Sequence, residues 1–452
     1  MQNSINKYLY VDSTKKWHVY LMAFLGITTW LLVYVAFVKA SFVDPFFRYF
    51  LLLPVTILSV YYFIDYGIWF AFKPFSRKVH DNKIDKYWKT CPEPSVDVFI
   101  PICGEEIKII EETLKAVSEL DYKNFKCYLL DDSKAGQNQN KILAGRYNFN
   151  YIERPDKGRA KRAGNVNYGL SQSKGKFIAV FDADFCPEPS FLSDTIPYME
   201  DKKIGLVQTP QYFKPEKQIN SIMYGAAYQV QNFYRITQLA RERWHGAICV
   251  GTNFIYRREA IITAGGEREV EACQDSRTGL AIAKQGYHVK YIPLVLASGL
   301  CPLDIYSFFH QQHRWAGGGL EMLLNKWEFW PAKVSLWKKI CVTGGVRFYL
   351  ARAASVLVSF HLFWVLFVYN DYIDIEHSIW FIPYVLFNVC VSLGYTTMKP
   401  KIGQFKIGLV QSLAILHSTI ATIFRKRAGW IPAGAKQSSI SSTFKQMYSF
   451  MK

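Results

Sequence analysis

The nine cysteines of this 452-residue chain include no CxxC pair and keep no regular spacing. Neither a disulfide framework nor a zinc site is indicated, and the thiols read as reduced cytosolic or lipid-facing groups. A long Lys/Arg tract is also missing, although the formal net charge is +18. That absence argues against a nucleic-acid arm. Many of the basic residues flank apolar segments instead, where they suit a membrane surface. No small-residue cleavage site follows the first apolar run, which is also too long for a signal peptide.

Hydrophobic residues make up half of the chain, and aromatics 16%. They gather toward the two ends, the pattern of membrane spans around a soluble middle. The runs Trp17–Val38 and Tyr49–Phe72 are each long enough to cross ~30 Å of hydrocarbon at ~1.5 Å per residue. Lys7, Lys15 and Lys16 precede the first, and Lys73, Arg77, Lys78, Lys83 and Lys86 follow the second. Positive residues stay inside, so the N-terminus and the domain after Phe72 are expected in the cytosol. Two further runs, Phe348–Tyr369 and Ile379–Tyr395, are expected spans. A third, Phe405–Phe424, carries Lys406, Gln411, Ser412, His417, Ser418, Thr419 and Thr422 among its apolar residues. Crossing there would put Arg425, Lys426, Arg427 and Lys436 outside. An amphipathic helix on the cytosolic surface is the preferred reading. The expected organisation is a two-helix membrane region over 1–72, a cytosolic domain over 73–335, two more spans over 336–400, and an interface helix with a tail over 401–452.

Between Ser95 and Gly319 short apolar runs alternate with amphipathic stretches. Val96–Ile100, Cys127–Leu130 and Phe177–Phe181 read as buried strands, and Glu111–Leu120 as a crossover helix. This is the logic of an α/β domain with a mostly parallel sheet, whose ligands sit at the carboxyl ends of strands. Asp131-Asp132-Ser133 and Asp182-Ala183-Asp184 fall at two such ends, and Asp275 precedes the helix-like stretch Ser276–Gln285. Strand-end carboxylates can hold a nucleotide and a hard cation, which needs only one or two of them beside phosphate oxygens and water. Taken singly, each is more simply a turn or helix-cap residue.

Together they form an ordered set. Asp132, then Asp182 and Asp184, then Asp275, then Gln311-Gln312-His313-Arg314-Trp315 reproduce the pattern D, DxD, D, QxxRW. Val207-Gln208-Thr209-Pro210-Gln211-Tyr212-Phe213, Gly251-Thr252-Asn253 and Ala163-Gly164-Asn165 lie between them. On these residues the chain resembles the cellulose synthase branch of family 2 glycosyltransferases, which also contains hyaluronan and chitin synthases. The resemblance implies a GT-A domain inserted between transmembrane helices, in an integral protein of the plasma (inner) membrane. It also implies a UDP-sugar donor, UDP-glucose by the Gln-Thr-Pro block, a growing polysaccharide acceptor, and Mg²⁺ or Mn²⁺. No nucleic-acid partner is expected, while a homo-oligomer or accessory export proteins would fit. A single transfer to a lipid acceptor is the alternative activity, and an inactive membrane scaffold a remoter one.

Residue by residue, Asp275 would be the general base, and Asp182 and Asp184 the metal ligands. Glu105, Asp131, Asp132, Arg162, Asp182, Gln311 and Arg314 would bind the donor, and Trp315 would stack under the acceptor sugar, core packing being its simpler role. Trp430 to Lys436 stand where a loop closing over the donor is expected, though without that loop's Thr. There are other departures. Cys273-Gln274 replace the usual Thr-Glu before the base, which removes a negative neighbour and implies a less elevated base pKa. Phe185 stands where a metal-holding His is frequent, Arg162 replaces Lys, and of the first strand's usual ending only Glu105 matches. No cyclic-dinucleotide-binding domain is expected after the tail.

Overall fold

The computed structural model describes residues 5–43, 47–214, 220–325, 329–330, 333–368 and 403–424, with residues 382, 386 and 398. The expected span Ile379–Tyr395 falls almost wholly outside these residues. The flanking Lys399, Arg425–Arg427 and the Trp430–Lys436 segment lie outside them altogether.

The N-terminal apolar runs form helices α1 (Lys16–Val43) and α2 (Leu52–Trp69), which pack on each other with Trp30 Nε1 donating to Ser59 Oγ at 2.9 Å. Helices of the central domain include α3 (Ile107–Ser118), α4 (Lys161–Gln172), α5 (Ser221–Asn232), α6 (Gln274–Lys284) and α7 (Ile305–Leu324). They are followed by α8 (Leu336–Val342), α9 (Gly344–Val368) and α10 (Gly403–Ile423). Among the described residues three helices are long and apolar enough to cross a membrane, within 16–39, 49–69 and 406–423. The bent pair α8–α9, with a 45° break, makes a fourth if it counts as one span.

Among the described residues, ten strands build two sheets. They are β1 (Val96–Ile102), β2 (Phe125–Asp131), β3 (Asn150–Glu153), β4 (Phe177–Val180) and β5 (Phe185–Pro187), then β6 (Ile204–Gln208), β7 (Tyr212–Phe213), β8 (Phe254–Arg257), β9 (His288–Tyr291) and β10 (Ala297–Gly299). The main sheet runs β3-β2-β1-β4-β8-β6-β9, and only β8 opposes its neighbours β4 and β6. All seven residues of β1 are buried, as a strand covered on both faces requires. Helix α3 connects β1 to β2 and buries Ile110, Thr113, Leu114 and Val117, an i, i+3, i+4, i+7 stripe. The small sheet β5-β10-β7 lies beside the DxD end of β4. There Phe185 packs its ring on Gly299 and edge-on to Phe213, with centroids 5.6 Å apart. In this chain Phe185 is therefore a core residue that aligns the small sheet.

One buried charge cluster fastens the domain to the helices. Asp65 of α2 accepts from Arg347 of α9 at 2.8 and 3.1 Å, and Arg241 of the domain approaches it to 3.6 Å. Asp65 and Arg241 are both buried. Removing the carboxylate leaves two guanidinium groups without their counter-charge in a dry setting. Asp65→Asn is therefore expected to cost about 3 kcal/mol of stability, read as a lower unfolding midpoint in detergent.

Helix α10 revises one expectation about its faces. Its polar residues Gln411, Ser412 and Ser418 are buried, and its exposed residues include Leu409, Ile420 and Ile423. Gln411 Nε2 donates to Gln312 Oε1 at 2.9 Å, and Ser418 Oγ donates to the His313 carbonyl at 2.6 Å. These side chains find partners on α7, so their polarity is no argument against a span. Sequence periodicity ranks faces but cannot say that the polar one meets protein.

Candidate active site

Parallel strands end at one edge of the sheet, and the acidic residues collect there. Asp131, the last residue of β2, is fully buried. Its Oδ1 accepts from Ser133 N at 2.7 Å, and its Oδ2 from Asn140 Nδ2 and Tyr151 OH, both at 2.9 Å. Asp132 is held differently. Arg154 grips it with two parallel bonds, Nε to Oδ1 at 2.9 Å and Nη2 to Oδ2 at 2.8 Å, and Gly158 N adds a third at 3.0 Å. Arg154 reaches it through the gap left by Gly164, where a Cβ would come within 2.5 Å of Arg154 Nη1. Asn165 Nδ2 anchors the same helix to the Leu130 carbonyl at 2.7 Å.

Asp182 and Asp184 follow β4. The Asp182 backbone N–H donates to Thr252 Oγ1 at 2.9 Å, and its Oδ1 accepts from Arg162 Nε at 3.0 Å. Asp184 lies against Asp182 and Glu105; burial, then these two carboxylates, push its carboxyl up to about 8. Burial raises Glu105 too, with Asp182 and Asp131 adding, while the Cys103 N–H donated to its Oε2 at 2.6 Å opposes the shift. Crowded carboxylates of this kind are relieved by a hard cation, which prefers oxygen ligands. Among the described residues no group of three or more His, Cys, Asp or Glu side chains is arranged to hold a metal by itself. A cation at Asp182 and Asp184 would complete its shell with substrate oxygens and water.

Arg162 bridges the site. Beyond Asp182 it reaches Glu267 from Nη1 at 3.0 and 3.3 Å, and Nη2 donates to the Gly251 carbonyl. The blocks around residues 208 and 252 brace this wall. Gln208 Nε2 donates to the Thr252 carbonyl at 2.8 Å, Val250 N donates to Gln208 Oε1 at 3.0 Å, and Thr209 Oγ1 donates to the Asn253 carbonyl at 2.9 Å.

Asp275 sits in the first turn of α6, after Cys273 in a left-handed conformation. Burial raises its carboxyl pKa, while the backbone N–H of Ser276 and the charge of Arg162 pull the other way. Gly251, at φ +93°, lacks a side chain and so leaves the carboxylate room: a Cβ there would lie 3.3 Å from Asp275 Oδ2. Gln274 turns its amide to the Val270 carbonyl at 2.7 Å and brings no charge. Helix α7 packs directly behind. Cys273 Sγ donates to the Trp315 carbonyl at 3.5 Å, and a Cβ on Gly318 would lie 2.6 Å from Ala272 Cβ. Arg314, half-buried on α7, is lowered by burial, with Cys273, Asp275 and Asp182 opposing. Trp315 and Gln311 are also half-buried, and Gln311 Oε1 accepts from Gln312 at 3.4 Å.

The structure thus brings Glu105, Arg162, Asp182, Asp184, Asp275 and Arg314 into one electrostatic neighbourhood. Asp131 and Asp132 lie on the adjoining β2 edge, while Trp430 and Lys436 lie outside the described residues. Arg154 and Glu267 are not evident from sequence. Arg154 follows a short strand with exposed ends, and Glu267 follows two turn glycines. Four of the six non-glycine residues with positive φ among the described residues, Ala160, Lys161, Asn253 and Cys273, border this site. Such conformations cost about 1–3 kcal/mol and gather where geometry matters more than stability.

Residues 97–265 match the profile of glycosyl transferase family 2. A cellulose synthase catalytic subunit [UDP-forming] of Pseudomonas fluorescens (strain SBW25) is 31% identical over 239 residues, covering 51% of this chain and 32% of that protein. The cellulose synthase 1 catalytic subunit [UDP-forming] of Komagataeibacter xylinus is 28% identical over 284 residues, 61% of this chain and 38% of that one. Residues 97–265 are a family 2 glycosyltransferase domain similar to that of cellulose synthase catalytic subunits. The matched chain spans under two fifths of the length of either relative. The family 2 profile ends before Asp275 and Gln311–Trp315, so those positions rest on the wider motif order. The mannosyltransferase PcManGT of Pyrobaculum calidifontis, solved with GDP-Man and Mn²⁺, superposes with a TM-score of 0.56 at 16% identity. That superposition covers 82% of this chain and 99% of the mannosyltransferase, and places the family 2 domain in the GT-A fold.

Proposed function

We propose that the protein is a membrane-bound inverting glycosyltransferase that polymerises the sugar of UDP-glucose into a β-linked chain and leads it into the membrane. The observation that carries this reading is the meeting of Asp182, Asp184, Asp275 and Arg314 at the carboxyl edge of the sheet. The relatives named as UDP-forming cellulose synthase subunits support the choice of donor.

In this reading Asp132, aimed by Arg154, meets the uridine. Asp131 stands beside it, and both carboxylates also keep hydrogen bonds within the protein, Asp131 with Ser133 N, Asn140 and Tyr151, and Asp132 with Arg154 and Gly158 N. Mg²⁺ or Mn²⁺ held by Asp182 and Asp184 would supply Lewis-acid neutralisation of the departing diphosphate. Arg314 adds a planar, permanently charged fork to the same leaving group. Asp275 accepts the proton of the acceptor hydroxyl as that oxygen attacks the anomeric carbon. A single base opposite the leaving group inverts the centre, so an α-linked donor gives a β-linkage. Trp315 offers an apolar ring to the C–H face of the acceptor sugar. Product length on a gel tests polymerisation: a ladder or high polymer supports it, and a single added sugar on lipid supports the alternative transfer.

The catalytic domain belongs on the cytosolic side of the plasma membrane, by the basic residues around the first two spans. Helix α10 packs on α5 and α7 of that domain as well as on α9. Two catalytic-domain neighbours favour a position along the cytosolic surface. Cysteines placed at Lys399 and Lys436 should therefore both be shielded from an impermeant reagent added outside the cell. Labelling of one and not the other would make α10 a true span and remove the closing role given to Trp430.

A further inference from the structure

Glu267 has no place in the family motif, yet it is 2% exposed and built into the site from every side. Asn167 clasps its backbone, accepting from Glu267 N at 2.7 Å and donating to its carbonyl at 2.9 Å. Gly266, at φ +83°, makes that clasp possible, because a Cβ would lie 2.6 Å from Asn167 Oδ1. The Tyr256 hydroxyl donates to Glu267 Oε1 at 3.1 Å, and Arg162 Nη1 spans both oxygens at 3.0 and 3.3 Å. The same guanidinium places Nε 3.0 Å from Asp182 Oδ1. Two consecutive left-handed residues, Ala160 and Lys161 at φ 51°, introduce Arg162 at this point of α4. Arg162 is thus held by construction beside the first acid of the DxD.

A fixed guanidinium there opposes a divalent cation on the same carboxylate. Like charges a few ångströms apart in a partly dry site repel strongly unless a counter-charge is at hand. We infer that Glu267 is a positioning residue that neutralises Arg162 and draws it toward the Tyr256 side, so that Asp182 can share its charge with a cation-bound nucleoside diphosphate. This rests on the reading of Asp182 and Asp184 as cation ligands. The arrangement lets the chain use an arginine at this position without losing the cation. Arg162 then remains near the diphosphate, its charge balanced from behind rather than by Asp182 alone.

The test is direct Mn²⁺ binding to the purified full chain in the presence of UDP, read from the free-Mn²⁺ paramagnetic resonance signal. Glu267→Gln should weaken Mn²⁺ binding about tenfold or more, because Arg162 is then left to pair with Asp182. Arg162→Gln combined with Glu267→Gln should recover most of that affinity, since the unbalanced cation is gone. Glu267→Asp should lie between wild type and Glu267→Gln. Unchanged Mn²⁺ affinity in Glu267→Gln, or a double variant as weak as the single one, would overturn the inference. Should Glu267→Gln fail to fold, the neutral double variant decides: a folded protein that binds Mn²⁺ near wild type supports the inference, and one that does not refutes it. Failure of wild type itself to bind Mn²⁺ with UDP, or binding unaffected by Asp184→Ala, would instead strike the underlying cation-site reading.

Discussion

Asp275→Asn is expected to lower turnover by at least ~10²-fold, the usual loss for a general base, while UDP binding stays close to wild type. The substitution keeps the shape of the side chain and removes only its ability to take a proton. The carboxylate lies on α6, whereas the uridine is proposed to sit against β2 and the loops after it, so donor affinity should not follow. Burial raises the Asp275 carboxyl above its ordinary value. The base must be ionised to work, so wild-type turnover should fall as pH drops through that raised pKa, above the usual ~4 of an aspartate. Residual turnover in the Asn variant should lack this limb. Single-turnover rates and UDP binding across a pH series measure both effects. Loss of UDP binding with unchanged chemistry at saturation would reassign the residue.

Asp184→Ala should be more damaging, removing several kcal/mol of charge stabilisation at the leaving diphosphate, ~10³-fold in rate. Chelation of the wild type should give the same result. Asp184 is pushed up to about 8 by burial and by Asp182 and Glu105. A cation must displace that proton to bind, so apparent Mn²⁺ affinity should weaken steadily as pH falls below about 8. Phe185 occupies the position where a nitrogen ligand could have helped, and its ring is committed to Gly299 and Phe213. Metal should accordingly leave quickly on dilution, faster than from a relative with His there. Full activity in excess EDTA would contradict the assignment.

Three strands of the domain are readable because burial on both faces leaves uninterrupted apolar runs, while the shorter strands leave no such signal. Val96–Ile100 is seen as Val96–Ile102, and Phe177–Phe181 as Phe177–Val180. The crossover helix expected over Glu111–Leu120 is seen as Ile107–Ser118, starting four residues earlier because Ile110 belongs to the face that meets the sheet. Less visible was β8, whose reversed direction depends on how its partners are connected rather than on its own residues. The acidic residues could be found by their order along the chain. Their partners could not, because Arg154 reaches Asp132 across 22 residues and Glu267 reaches Arg162 across 105. A buried counter-charge carries no local pattern. The faces of α10 failed to read for a related reason: Gln411 and Ser418 are satisfied by α7, some 100 residues earlier.

The most direct test of the whole account is to place the purified protein in lipid, supply a panel of UDP-sugars with Mg²⁺ or Mn²⁺, and follow UDP release with linkage analysis of the product. UDP release from UDP-glucose is expected, dependent on divalent cation and on Asp275, with a β-linked glucan as product. No UDP release from any donor, or a product that retains the α-configuration, would contradict it.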